Sequence, residues 1–202
     1  MSLTSYHHRA KAPDPGASLV FTFHGTGGDE HQFFDLIEQI LPDAGIVAPR
    51  GDVSEHGANR FFRRTGEGVY DMPDLAQRTA RMAAFLQAHK VLNPGAPICG
   101  LGYSNGANIL ASVLFANPGI FDKAVLMHPL IPWSPAANPA LKTTEILITA
   151  GKRDPICPLP LTQSLADYFT AQGSQTRLVL HDGGHEIRQP ELDAITCFLQ
   201  AG

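Results

Sequence analysis

Six short apolar runs punctuate the chain: SLVFTF from residue 18, GIVAP from 45, APICGLG from 96, KAVLMHP from 123, EILITAG from 145 and RLVLHD from 177. Each is rich in Val, Ile, Leu or Phe and lacks strict polar alternation, which is the pattern of strands covered on both faces of a sheet. The stretches between them repeat with a helical period. Phe33, Leu36, Ile37, Ile40 and Leu41 follow a cap-like Asp29, and Leu75, Met82 and Leu86 follow Pro73. Leu161, Leu165, Tyr168 and Phe169 end before Gly173, and Leu192, Ile195 and Leu199 follow Pro190. NGANILASVLFA, from Asn105, supplies a further helix. Alternation of this kind predicts an α/β fold: a mostly parallel sheet, helices on both faces, and right-handed crossovers.

Ligands in such folds bind beyond the carboxyl ends of the strands, so the segments that follow the apolar runs carry the chemistry. The longest connection, from Pro49 to about Met72, shows few helix or strand signals. Loops beyond about fifteen residues are more often functional than idle. No internal repeat, low-complexity tract or interdomain linker interrupts the pattern. The expectation is one domain over residues 1–202, with 1–17 a flexible or peripheral N-terminal segment.

Composition narrows the function classes. A formal net charge of −4 argues against a dedicated nucleic-acid surface, whose affinity comes from clustered Lys and Arg. No apolar run is long enough for a membrane helix, and the N-terminal segment lacks a signal-peptide core, so a cytoplasmic location and no membrane insertion are expected. Three cysteines, Cys99, Cys157 and Cys197, lie far apart without CxxC spacing, which predicts reduced and mostly buried thiols. Small molecules are the expected partners, and a homodimer is left open.

Four polar constellations end apolar runs: HGTGGDE from His24, GYSNGAN from Gly102, GKRDPIC from Gly151 and HDGGHE from His181. Serine is a poor nucleophile at neutral pH; acyl transfer through it needs a base, a carboxylate that orients the base, and donors for the oxyanion. Ser104, His185 and Asp154 fit the first three roles. Gly102 and Gly106 flank Ser104 as a sharp strand-to-helix turn requires, since side chains there would strike the adjacent strand or helix. The N–H of Asn105, at a helix start, is one oxyanion donor; the Thr26 N–H is the first choice for the other. The order Ser, Asp, His is that of α/β-hydrolases. Asp182 competes with Asp154 for the acid role. His24 reads as a structural holder of the oxyanion loop, and His128 as either a pocket residue or a strand-end residue. His181 and His185 could converge on a metal only on a helix, which Gly183 and Gly184 disfavour; no metal and no cofactor are expected.

HGTGGDE, RFFRR with EGVYD, GYSNGANI, HP at 128, DPIC and GGHE together resemble the small bacterial carboxylesterase/phospholipase family of α/β-hydrolases, similar to the acyl-protein thioesterases. Within it they are similar to a branch of single-domain carboxylesterases linked to hydroquinone or aromatic-compound response. The resemblance runs from residue 19 to about 199. It implies a metal-free hydrolase of carboxylic esters or thioesters, without a large lid domain, using Ser104, Asp154 and His185 with the Thr26 and Asn105 amides as oxyanion hole. Acyl-protein thioesterases usually carry an aliphatic residue at the position of Thr26 and a Trp-Phe-Asp type segment in place of RFFRR, which speaks against a palmitoyl-protein substrate. From RFFRR and beyond, Phe61, Phe62, Arg63, His128 and Trp133 are the candidates for a substrate pocket suited to small aromatic or acidic esters. The rival functions are a thioesterase or lysophospholipase, a dienelactone-type lactone hydrolase, and a non-catalytic ligand-binding protein on the same fold.

Overall fold

The computed structural model describes residues 3–66 and 68–201. Strand β1 (His8–Lys11) and strand β2 (Leu19–Phe23) precede helix α1 (Phe34–Ile40) and β3 (Gly45–Pro49). Four short strands follow, β4 (Val53–Glu55), β5 (Ala58–Arg60), β6 (Arg64–Gly66) and β7 (Val69–Tyr70). The rest alternates: α2 (Met72–Leu92), β8 (Ile98–Tyr103), α3 (Asn105–Ala116), β9 (Lys123–Met127), β10 (Glu145–Gly151), α4 (Leu159–Ala171), β11 (Gln175–His181) and α5 (Gln189–Gln200). A short 3-10 helix, Pro139–Thr143, precedes β10.

Seven strands form the main sheet in the order β1-β3-β2-β8-β9-β10-β11. All neighbours pair parallel except β1 with β3. All six apolar runs are strands of this sheet. Their side chains alternate between two cores. Leu19, Phe21, Phe23, Leu126 and Ile148 face α2, α3 and α4, whereas Val20, Ile46, Leu101, Val125 and Leu147 face α1 and α5. Burial on both faces explains why these runs lack polar alternation.

Two regions hold strands that the apolar pattern does not reveal. The N-terminal segment, expected to be flexible or peripheral, holds a peripheral edge strand that gave no strand signal: His8 to Lys11 pairs with β3, and Tyr6 is buried against Phe85. Only its residues 1 and 2 fall outside the description. The stretch between β3 and α2 holds two small hairpins, β4 with β5 and β6 with β7; its Glu67 also falls outside the described residues. Strands of two or three residues are too short to display a period of two, so this region reads as loop from sequence. Helix α2 starts with Asp71 accepting from the Asp74 N–H and with Pro73 in its first turn, a strong N-terminal signal. Among the described residues no helix is long and apolar enough to cross a membrane.

Candidate active site

Strands β2 and β8 are neighbours, so the loops that leave their carboxyl ends lie side by side. Ser104 sits between β8 and α3 with φ 52° and ψ −116°. A non-glycine residue in this region costs about 1–3 kcal/mol and persists only where its surroundings fix it. Here the Ser104 N–H donates to Met127 O (2.9 Å), and its carbonyl accepts from Asn108 N (3.0 Å). A Cβ on Gly102 would lie 2.6 Å from Gly106 O; one on Gly106 would lie 2.5 Å from His24 O and closer still to Phe23 O. The two glycines let strand, helix and β2 meet at van der Waals distance.

The Ser104 Oγ is 2.9 Å from His185 Nε2, and His185 Nδ1 is 2.7 Å from Asp154 Oδ2. Because the carboxylate only accepts, Nδ1 carries a proton and Nε2 is left to accept from the serine hydroxyl. The Tyr103 hydroxyl donates to His185 O (2.6 Å) and anchors the histidine loop. Asp154 is buried, and its Oδ1 accepts from the Ile156 and Cys157 amides at 2.8 and 2.9 Å. Burial raises its pKa, but the Cys157 amide and the imidazoles of His128 and His185 outweigh this and hold it below the ordinary carboxylate value. The competing Asp182 is 79% exposed at its side chain and pairs with Lys152 at 2.8 Å. It does not reach the histidine.

The loop from Gly25 to Gly28 is fixed from several sides. Gly51 N donates to His24 Nε2 (2.9 Å), which leaves Nδ1 protonated to donate to Gly25 O (2.7 Å). Burial lowers the His24 pKa, in keeping with this neutral tautomer. Gly27 N donates to Asn59 O, Asn59 Nδ2 to Gly28 O, and Arg60 Nη1 to Thr26 Oγ1 (2.8 Å). Among the described residues neither the Thr26 N–H nor the Asn105 N–H has a partner within the protein. The Asn105 N–H opens helix α3, where the helix dipole favours negative charge.

Ser104, His185, Thr26 and Asn105 line a pocket of about 630 Å³ whose other walls include Arg60, Arg64, Tyr70, Tyr103, Asn108, Leu130, Ile156, Cys157 and Leu161. This corrects the expected pocket. Phe61 and Phe62 are fully buried in the core: Phe61 packs on Phe23 and His24, and Phe62 packs on Tyr70 behind the wall. Arg63 points outward onto Asp74, 3.1 Å away. Trp133 lines a separate apolar groove between α2 and α3. His128 is buried behind Asp154, not in the pocket. The phenylalanines are drawn inward by their hydrophobicity, and of the arginines beside them Arg60 and Arg64, not Arg63, line the pocket.

Tyr70, Tyr103 and Asn108 were not singled out from the sequence. The Tyr70 hydroxyl donates to Leu130 O (2.7 Å) and accepts from Asn108 Nδ2 (2.8 Å), while Asn108 Oδ1 accepts from Leu130 N (2.7 Å). Asn108 lies one helical turn after Ser104, a spacing that could have marked it as facing the same side. Glu191 was also missed; nothing local distinguishes it from the other carboxylates of a helix start. Two groups among the described residues bring enough ligand atoms together for a metal, His128 with His181 and Glu191, and His128 with Asp154 and His185. Neither suits one. Gly183 N donates to His181 Nδ1 (2.9 Å), so the Nε2 facing Glu191 carries a proton, and His185 Nδ1 is already a donor to Asp154.

No protein-family model matches the chain. The inferred hydrolase MhqD of Bacillus subtilis is 38% identical over 180 residues, spanning 87% of this chain and 89% of that protein. Among solved structures, Atu2452 of Agrobacterium tumefaciens, a protein of unknown function, is 56% identical with a TM-score of 0.96 over 100% of this chain and 98% of that one. The Bacillus cereus carboxylesterase is 31% identical with a TM-score of 0.89 over 96% of this chain and 93% of that one. With a strand-turn-helix serine at the carboxyl edge of a mostly parallel seven-stranded sheet, and with relatives of this extent, the chain belongs to the phospholipase/carboxylesterase family of α/β-hydrolases.

Proposed function

We propose that this hydrolase is a serine carboxylesterase that cleaves small carboxylic esters through an acyl-enzyme. The observation that carries the reading is the continuous chain Ser104 Oγ, His185 Nε2, His185 Nδ1, Asp154 Oδ2, with links of 2.9 and 2.7 Å. His185 takes the serine proton as Oγ attacks the ester carbonyl, and the Thr26 and Asn105 amides receive the oxyanion. The histidine then returns the proton to the leaving alkoxide; a water deprotonated by the same nitrogen releases the acid. Asp154 orients His185 and stabilises its cationic form. Removing an oxyanion donor typically costs about 100- to 1,000-fold in turnover.

The pocket of about 630 Å³, with arginine, tyrosine and asparagine in its walls, favours compact and partly polar esters over long acyl chains. A fluorophosphonate probe and a series of p-nitrophenyl esters and thioesters test both parts. Expected are a Ser104 adduct, no adduct in Ser104→Ala, and faster turnover of acetyl and butyryl than of palmitoyl esters. A folded wild type that takes no label would leave a binding protein as the reading; preference for palmitoyl thioesters would leave a thioesterase.

A further inference from the structure

Behind Asp154 the site continues into a cluster that esterolysis by three residues does not require. His128 follows β9, has φ 49°, and is fully buried. Its Nδ1 is 2.9 Å from Asp154 Oδ2, the same oxygen that His185 holds. Its Nε2 is 3.0 Å from Glu191 Oε1, an ion-pair approach that lies off the N–H axis. Glu191 is itself fully buried, with Thr149 Oγ1 donating to Oε1 (2.6 Å) and Arg188 N donating to Oε2 (2.8 Å).

A neutral imidazole would turn a lone pair toward one of these two carboxylates. Protonated at both nitrogens, it gives Asp154 a hydrogen bond and meets Glu191 as an ion pair. Every other group facing the ring is uncharged or shared. His181 is the neutral Nε2–H tautomer, by virtue of the Gly183 N–H on its Nδ1. The Tyr103 phenol is pushed up to about 12 by burial, and the Cys157 thiol, which donates to His128 O, is pushed up as well. Burial lowers the His128 pKa, but Glu191 and Asp154 outweigh it and leave it above the ordinary histidine value.

We propose that His128 is a positioning residue held as a buried imidazolium by Glu191, and that its charge offsets part of the field Asp154 exerts on His185. Asp154, His128 and Glu191 together then carry one negative charge instead of two. The cluster becomes neutral overall when His185 takes the serine proton. The inference rests on the esterase reading for its consequence, though not for the charge state itself.

The test is His128→Asn, which keeps a donor at the Nδ1 position and removes the charge. With His185 and His128 rings about 5.1 Å apart between centroids, loss of the cation moves the acid limb of kcat/KM for p-nitrophenyl acetate up by about one pH unit or more. Fluorophosphonate labelling follows the same limb. A purely structural role would lower the plateau and leave the limb in place, and that result overturns the proposal. Independently of turnover, 15N NMR of the wild type is expected to show both His128 nitrogens protonated from about pH 6 to 8. A neutral His128 tautomer at pH 7 refutes the inference even if the enzyme is active. A wild type that is not labelled at Ser104 refutes the esterase reading while the NMR result still decides the charge.

Discussion

Gly106 is the position where backbone packing and helix propensity make opposite demands. It lies in the first turn of α3, where alanine is favoured over glycine by about 1 kcal/mol. Yet a Cβ there would lie 2.5 Å from His24 O and 2.6 Å from Phe23 C, with Phe23 O nearer still. These are backbone atoms of β2 and of the loop that follows it, and β2 is clamped between β3 and β8. They cannot swing aside as a flexible side chain would, so the overpacking cost belongs at the upper end of about 1–3 kcal/mol. Gly106→Ala therefore loses about 2 kcal/mol net, and for a chain of this size Tm falls by roughly 4–8 °C. Relief of the clash pushes the start of α3 away from the loop that carries Thr26. Misplacement by about 1 Å costs on the order of 100-fold in rate, which fluorophosphonate labelling of Ser104 would read. Gly119→Ala is the control: nothing lies within 4 Å of its added Cβ, and its stability stays within about 0.5 kcal/mol. If Gly106→Ala melts with the wild type and labels at the same rate, the packing argument for the serine turn is wrong.

Asp154→Asn is expected to lower kcat by about 10,000-fold, as loss of the orienting carboxylate does in serine proteases, whereas Asp182→Asn stays within about twofold; steady-state kinetics of the two variants decides between the carboxylates. Phe62→Ala, at a fully buried position, destabilises by about 3–5 kcal/mol in denaturant titration and leaves the ranking of short and long acyl esters unchanged. The Glu30 carboxyl is drawn from 4.5 to about 2, first of all by its hydrogen bonds from Arg50. A depressed folded value means the stabilisation is complete above pH 4.5 and is lost as pH falls toward 2. Glu30→Gln should thus cost about 1–2 kcal/mol at pH 7, discounted for solvent screening because its partners Arg50 and His7 are 39% and 68% exposed. Thermal melts across pH 2 to 7 should show wild type and variant converging at the acid end, and a constant gap would refute the assignment.

The α/β architecture was legible because a strand buried on both faces must be apolar at every position, and a helix packed on such a sheet must repeat its apolar residues at its own period. Both demands are local. Strand β1 escaped because HRAK, at an edge, is held by main-chain hydrogen bonds to β3 and needs no apolar face. The serine, histidine and their order along the chain were equally readable, since the turn around Ser104 needs its glycines within two residues.

What the chain order could not decide was direction. Asp154 and Asp182 both follow apolar runs, and only the backbone path after each strand turns one carboxylate inward onto His185 and His128 and the other outward onto Lys152. The same holds for RFFRR, where the tertiary structure buries Phe61 and Phe62 and leaves Arg60 and Arg64 on the pocket. Residue type and spacing are properties of the sequence and determine which chemistry is available. Where each side chain points depends on dihedral angles set by contacts between residues far apart, and Ser104 and His185 are 81 positions apart. The fold alone brings them within hydrogen-bonding reach, because parallel strands deliver all their carboxyl ends to one edge of the sheet.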